Sequence, residues 1–469
     1  MSDDKSYYFC GIGGSGMLPL AMIVKAAGAR VSGSDRALDQ GRLADKFRWL
    51  QDRGIDLFQQ DGSGLTDSSQ ILIASAAIED SVPDVARAIE LGCKRMTRAE
   101  LLAEHFNEVA HSIAVGGTSG KSTVTGMVGW ILTEAGYDPT IMNGAVMKNF
   151  VDVDAPFASS RVGAGTLMVS EVDESDGSIA LFNPDIAVLN NVSLDHKSLE
   201  ELRILFGDFI AKSRHAIWNF DDAESRSLVG SRNAVKTSSF GFSLGADYQA
   251  LQVHEESFGS TFVMRIGKSD YQVTLQVPGK HNIANALAAI ATTCAMGVPV
   301  EHAIRAIGAF QGLARRFDIV GMANDITVID DFGHNPDKIA ATLRTLKAFS
   351  GRVIAFFQPH GFGPIKKMGA ELAAVFAENL DDKDRVILCD PVYFGGTVDR
   401  SLGSDSIVEA IRAAGGTAEH ISARADCGDR IVEIAKSGDR IVIMGARDDT
   451  LHIFAHSILA AVADKQPAH

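Results

Sequence analysis

Ser112-Ile113-Ala114-Val115-Gly116-Gly117-Thr118-Ser119-Gly120-Lys121-Ser122-Thr123 is the stretch on which the fold class turns. Ser112 to Val115 is a short apolar run suited to a buried strand, the glycines form a tight turn, and a helix runs on to about Glu134. In such a strand–loop–helix unit the backbone N–H groups and the helix amino terminus can cradle a phosphate. Lys121 adds a mobile cation for terminal phosphates and Ser122 a hydroxyl for magnesium. The long Walker spacing would need glycine where Val115 stands, so the match is to a shorter loop, G-T-x-G-K-S-T, running from Gly117 to Thr123. A chance Gly-Lys-Ser is common. Its place between strand and helix makes this a nucleoside triphosphate site.

An earlier loop has the same architecture with different chemistry. The strand Tyr7 to Cys10 runs into Gly11-Ile12-Gly13-Gly14-Ser15-Gly16 and a helix from Met17 to about Ala27. Gly11, Gly13 and Gly16 keep the GxGxxG spacing, and Asp35 falls where a ribose-binding carboxylate would stand. Alone, this says dinucleotide cofactor, and an NAD(P) oxidoreductase is the corresponding rival function. The blander reading is a tight turn with Asp35 as a helix cap.

Downstream of the lysine loop, Glu171-Val172-Asp173-Glu174-Ser175-Asp176 follows a strand ending at Ser170. Four carboxylates at a strand end repel one another, and a bound cation is a natural reason to gather them there. A solvated acidic loop is the alternative; its place beside a phosphate loop favours magnesium. Asn190-Asn191 to Asp195-His196 follow another buried strand, which brings His196 towards the same crevice.

The chain has 469 residues, 46 % of them hydrophobic and 22 % charged, which suits a folded protein of two or three domains. A formal charge of -15 opposes general attraction to nucleic acid or anionic lipid. Cys10, Cys93, Cys294, Cys389 and Cys427 show no CxxC spacing and read as reduced thiols. The amino terminus has neither the pattern of a signal peptide nor that of a spanning helix, and the expectation is a cytoplasmic protein without membrane insertion.

Alternating strand and helix signals divide the chain into an α/β protein of three consecutive domains: 1-108, 109-314 and 315-469. Strands are expected at Ile71 to Ser75, Thr166 to Ser170 and Ile186 to Leu189. Tyr248 to His254, Thr261 to Ile266 and Tyr271 to Val277 read as a small antiparallel insertion in the central domain. Strands near Ile326 to Ile329, Val353 to Phe357, Arg385 to Leu388 and Ile441 to Met444 make the last domain a third doubly wound unit.

Taken in order, these features resemble the Mur ligase family over nearly the whole chain. The matching residues are Gly11 to Gly16, Gly117 to Thr123, Glu171 to Asp176, Asp195-His196, Pro278-Gly279-Lys280-His281-Asn282-Ile283-Ala284-Asn285, Arg315-Arg316-Phe317 and Asp330-Asp331-Phe332-Gly333-His334-Asn335-Pro336. The resemblance implies a Rossmann-like UDP-sugar domain, a P-loop ATPase-like central domain, and a Rossmann-like carboxyl-terminal domain for the incoming amine. The first loop, with Gly11, Gly13, Gly14, Ser15, Gly16 and Asp35, would then hold a UDP pyrophosphate instead of NAD.

By the same resemblance the cofactors are ATP and Mg2+. Gly117, Thr118, Ser119, Gly120, Lys121, Ser122 and Thr123 bind the nucleotide with Asn282, Asn285, Arg316 and Asp331; Ser122, Glu171 and His196 hold metal. Lys121, Glu171, His196 and Arg316 carry catalysis. The implied activity joins L-alanine to the lactyl carboxylate of UDP-N-acetylmuramate through an acyl phosphate, in a monomer or homodimer. Amide formation in water needs such an activated acyl group.

The third domain departs from the family pattern. Gln358-Pro359-His360 is followed by Gly361-Phe362-Gly363-Pro364, where the L-alanine branch carries arginines. An arginine fork suits a carboxylate better than a lysine point charge does. Lys366 or Lys367 is the candidate replacement, with His334 and His360 beside the amine. Lys367-Met368-Gly369 is similar to the branch that attaches a peptide, so a peptide or another amino acid is the alternative amine. A non-catalytic nucleotide sensor is a further rival.

Overall fold

The computed structural model describes residues 5–76, 78–193, 197–230, 235–392 and 400–465. It packs as two units, one built from the chain through Glu255 with Gly259–Gly312, the other from Glu256–Phe258 and the chain from Leu313 onward. Among the described residues they carry three sheets, the three-domain α/β fold expected from the alternation of strands and helices.

In the first unit, a five-stranded parallel sheet runs Asp56–Phe58, Arg30–Ser34, Ser6–Cys10, Gln70–Ala74, Arg95–Thr97. The chain leaves the central strand Ser6–Cys10 at the point where strand order reverses, which opens a crevice at its carboxyl end. Gly11 to Gly16 occupy that point before the helix Met17–Ala26. Met17, Leu18, Leu20, Ala21 and Val24 of this helix are buried, so the loop is pinned by its own apolar helix.

The central sheet has ten strands. His111–Gly116 lies between Ile186–Leu189 and Leu167–Glu171, parallel to both. This places the lysine loop, the acidic segment and Asn190-Asn191 side by side at one sheet end. The expected antiparallel insertion is present as Gly259–Ile266 paired to Ser269–Leu275, and it continues an edge of this sheet.

The expected 108/109 boundary falls between the helix Arg98–Glu108 and the strand His111–Gly116. Packing crosses it: Phe9, Leu20, Phe106, Phe182 and Phe206 belong to one buried cluster, Phe106 and Phe182 meet edge-on at 5.3 Å, and Asn107 bonds both Leu181 and Asn183. The first two sequence domains therefore share a core and are fixed against each other.

The second unit holds a six-stranded sheet: Asp318–Ala323, Ile326–Asp331, Arg440–Gly445, Val353–Gln358, Arg385–Leu388, Ala418–His420. Its first pair is antiparallel and the rest are parallel, with apolar clusters on both faces. Among the described residues no helix is long and apolar enough to cross a membrane. All five cysteines are free, and four are buried.

Candidate active site

The lysine loop needs glycine at two positions. Gly117 and Gly120 have φ of +133° and +82°, conformations that side chains rarely adopt, and Gly120 caps the helix Lys121–Glu134. Two asparagines hold the loop from outside. Asn191 accepts from the Ser119 N–H at 2.9 Å and donates to the Ser119 carbonyl, while Asn190 Nδ2 donates to the same carbonyl and to Asn285 Oδ1 at 3.0 Å. Asn285 donates in turn to Asn282, and Asn282 to the Pro278 carbonyl.

Asn282 and Asn285, expected near the nucleotide, are thus the struts that tie the loop to the helix Lys280–Ala295. A Cβ at Gly120 would stand 2.3 Å from Asn190 Nδ2 and 2.7 Å from Asn285 Oδ1. Asn190 Oδ1 is buried with no hydrogen-bond partner, an acceptor left open beside the loop.

Lys121 Nζ lies 2.8 Å from Glu174 Oε2 and 2.8 Å from the Gly117 carbonyl, with 19 % of its side chain exposed. Burial alone would lower the lysine pKa; Glu174, Asp173 and Glu171 outweigh it and raise it, so the cation is kept charged. Burial pushes Asp173 the other way, yet Lys121, two hydrogen bonds from Ser175 and the charge of Arg98 hold its carboxyl below the ordinary value. Ser122 Oγ donates to Glu171 Oε2 at 2.6 Å. Two of the three residues expected at the metal, Ser122 and Glu171, are therefore in contact. His196 and Asp195 lie outside the described residues.

Magnesium takes hard oxygen ligands and usually keeps several waters and substrate phosphates, so one carboxylate and one hydroxyl are a fitting protein contribution. Ser122 Oγ and Glu171 supply that set. Among the described residues no group of three or more His, Cys, Asp or Glu side chains forms a metal cage.

The first glycine loop is built differently. The Gly11 and Ile12 N–H groups donate to the Ser34 carbonyl, and the Gly13 N–H donates to Asp35 Oδ2 at 2.8 Å. The other Asp35 oxygen caps the short helix Arg36–Asp39 by accepting from Ala37. Both oxygens thus have protein partners, so the helix-cap reading of Asp35 describes its observed contacts. Gly14 and Ser15 are exposed at the loop tip.

A cleft opens beside the lysine loop. Lys121, Glu171 and Asp173 line it together with Arg98, a residue the motif reading missed. Arg98 is the first residue of the helix Arg98–Glu108, and its stem crosses Gly16: a Cβ there would stand 2.9 Å from Arg98 Cδ. In the sequence, Thr97-Arg98-Ala99-Glu100 announces only a capped helix start, and the capping box is present.

In the second unit, Arg316 stacks on Phe332 with its guanidinium 4.3 Å from the ring centroid and donates to the Arg315 carbonyl. Asp331 accepts from the Phe317 N–H and the Thr342 hydroxyl, and burial raises its pKa. His334 and His360 meet edge-on at 5.1 Å. Burial, then Lys338, drives the His334 pKa down to about 3, so the ring is neutral near pH 7. Lys366 and Lys367 are exposed on the helix Phe362–Asn379.

The position after His360 lacks arginine, but Arg424 reaches the same sheet end from another helix. Its Nη1 bonds Asp448 at 2.9 Å and Gln358 at 3.3 Å. Sequence spacing gave no sign of it.

Three family profiles match in succession: "Mur ligase family, catalytic domain" over residues 6–109, "Mur ligase middle domain" over 115–293, and "Mur ligase, glutamate ligase domain" over 315–447. Two relatives named UDP-N-acetylmuramate–L-alanine ligase are similar along most of the chain. The one from Synechococcus sp. (strain JA-3-3Ab) is 36 % identical, covering 88 % of this chain and 78 % of its own. The one from Agrobacterium fabrum is 33 % identical, covering 94 % of each. Among solved structures, the UDP-N-acetylmuramate–alanine ligase of Thermotoga maritima shares the fold, with a TM-score of 0.79 at 23 % identity over 97 % of this chain and 98 % of that one. A murein peptide ligase from Psychrobacter arcticus superimposes with a TM-score of 0.73 at 25 % identity, over 99 % of this chain and 100 % of that one.

Proposed function

The chain belongs to the Mur ligase family, and from that premise we propose that it uses ATP to join L-alanine to the lactyl carboxylate of UDP-N-acetylmuramate. The observation that carries this reading is the alignment, at one sheet end, of Lys121 on its glycine loop with the Ser122–Glu171 pair and the Asn190–Asn285 strut.

A triphosphate entering the loop meets backbone N–H groups and exchanges Glu174 for phosphate oxygens as the partner of Lys121. The substrate carboxylate oxygen attacks the terminal phosphorus, the bond from phosphorus to the ADP oxygen breaks, and ADP leaves. The amine nitrogen then attacks the acyl carbon of the acyl phosphate. The resulting tetrahedral centre expels inorganic phosphate, and the nitrogen loses a proton to leave the amide. Lys121 offsets charge on the transferring group, and the shared core of the first two sheets fixes the distance between the two loops. Magnesium, held by Ser122 and Glu171, would neutralise phosphate charge and fix its orientation.

A second reading concerns the amine. The absence of arginine after His360, together with the likeness to a murein peptide ligase, supports a peptide in place of L-alanine. Phosphate release by purified protein with Mg-ATP and UDP-N-acetylmuramate, scanned over L-alanine, glycine, L-serine and a muramyl tripeptide, separates these readings. Release with L-alanine alone is expected. Release with the tripeptide alone selects the second reading, and silence with every amine in protein that binds ATP would leave the sensor.

A further inference from the structure

Arg98 is a half-buried cation at the start of the helix Arg98–Glu108. Its distal end lies against Gly16: a Cβ there would come within 2.9 Å of Cδ, 3.1 Å of Nε and 3.4 Å of Cζ, so the guanidinium itself stands beside the first loop. Arg98 also lines the cleft shared by Lys121, Glu171 and Asp173. Among the described residues no hydrogen bond or ion pair within reach occupies the guanidinium, although two carboxylates share the cleft. Leu102 and Phe182 make part of the wall apolar, which strengthens any charge pairing formed there.

The neighbouring loop explains why a cation is needed at this point. At Gly11 to Gly16, the Gly13 N–H is already bonded to Asp35, and the Gly11 and Ile12 N–H groups to the Ser34 carbonyl. The first loop thus has fewer free donors than the lysine loop and carries a carboxylate, while the nearby Lys46 is engaged by the Gly13 carbonyl at 3.3 Å. An acyl substrate held at that loop must bring its own carboxylate past Glu171 and Asp173 to the phosphate beside Lys121. Like charges oppose that approach.

We propose that Arg98 receives the reacting carboxylate of the acyl substrate, pairing with it through the guanidinium fork and holding it towards the phosphate at Lys121. This rests on the ligase reading above and adds the residue that steers the acyl group. Arginine suits the task because its planar fork matches a carboxylate and stays charged when desolvated. Its contact with Gly16 places the guanidinium beside the loop that holds the rest of the substrate.

The test compares two nucleotide sugars, UDP-N-acetylmuramate and UDP-N-acetylglucosamine, which lacks the lactyl carboxylate. Binding of each, and of Mg-ATP, is measured by calorimetry for the wild type, Arg98→Met and Arg98→Lys. Methionine keeps an apolar stem and lysine keeps charge without the fork. The expected result is that Arg98→Met weakens UDP-N-acetylmuramate about ten- to a hundredfold. UDP-N-acetylglucosamine and Mg-ATP should bind as before, and Arg98→Lys should recover part of the loss. Equal weakening of both sugars would overturn the proposal, since the side chain would then serve the shared pyrophosphate. Unchanged binding of both would overturn it as well. A wild-type protein that binds Mg-ATP but neither sugar would instead overturn the ligase reading itself.

Discussion

The first unit contains the same backbone device twice, a strand that turns through glycines into a helix, and the two copies are held by opposite chemistry. Gly11 to Gly16 is clamped by a carboxylate, Asp35, and its lysine comes from outside the loop, Lys46, whose Nζ donates to the Gly13 carbonyl at 3.3 Å. Gly117 to Lys121 is clamped by neutral amides, Asn190 and Asn191, and carries its cation within the loop. A carboxylate stabilises a loop by occupying its N–H donors. The asparagines take the Thr118 and Ser119 N–H groups and brace the Ser119 carbonyl, leaving the loop's other donors for a ligand. The lysine loop therefore carries its own cation for a highly charged phosphate group, whereas the cations beside the first loop, Lys46 and Arg98, come from elsewhere in the chain.

The largest effect should come from removing the cation that distinguishes the loops. Lys121→Ala is expected to lower ATP-dependent phosphate release by about a thousandfold or more, since phosphoryl transfer relies on alignment and charge neutralisation. Circular dichroism should show the fold retained. A variant keeping more than a tenth of wild-type release would place the reacting phosphate elsewhere.

Matched glycine substitutions sharpen the comparison. Gly11 and Gly120 have nearly equal φ, +81° and +82°, so alanine meets the same backbone strain at both, about 1–2 kcal/mol. Their surroundings differ: a Cβ at Gly11 has nothing within 4 Å, whereas one at Gly120 collides with Asn190 and Asn285. Gly120→Ala should therefore cost about 1–3 kcal/mol more than Gly11→Ala in denaturant titration and should also weaken ATP binding. Equal losses would mean that the asparagine strut yields freely.

A smaller effect is expected at Gly144, where a Cβ would stand 2.2 Å from Glu171 Oε1. The carboxylate is the movable end of a side chain, so Gly144→Ala should shift Glu171 away from Ser122 rather than unfold the protein. The concentration of Mg2+ needed for half-maximal phosphate release should rise several-fold, with the ATP affinity of the metal-free protein unchanged. An unchanged Mg2+ requirement would remove Glu171 from the metal site.

Much of this arrangement was readable from local pattern. Apolar runs such as Ile186–Leu189 become fully buried parallel strands, and the two glycine loops sit between strand and helix as their residues require. Three-residue edge strands such as Asp56–Phe58, Arg95–Thr97 and Ala418–His420 have no period to read, because their partners define them. Arg98 and Arg424 were invisible for a related reason. Each lies against residues distant in sequence, Arg98 against Gly16 and Arg424 against Gln358 and Asp448, and a helix start says nothing of where a long side chain turns. The fusion of the first two domains into one core depends on Phe106 meeting Phe182, which composition does not disclose. The candidate lysines of the third domain show the converse: Lys366 and Lys367 have the right charge, yet their helix presents them to solvent.

The smallest expected effect breaks the comparison most directly if it fails. Asp35 uses one oxygen for Gly13 and the other for Ala37. Asp35→Asn keeps one carbonyl oxygen and turns the other into an NH2 group, which cannot accept. One of the two bonds is lost, and stability should fall by about 1–2 kcal/mol, read as a lower midpoint in denaturant. Were Asp35 a direct substrate ligand, the same change would cost UDP-N-acetylmuramate affinity about tenfold or more. A carboxylate that serves the loop, by contrast, repels a bound pyrophosphate, so its neutralisation removes a repulsion while loosening one anchor. The two tendencies oppose each other, and the dissociation constant should move by less than about threefold. A lower midpoint with nearly constant affinity is thus the signature of a clamp. A constant midpoint with a tenfold loss of affinity would instead make Asp35 a ligand and give the two loops the same logic.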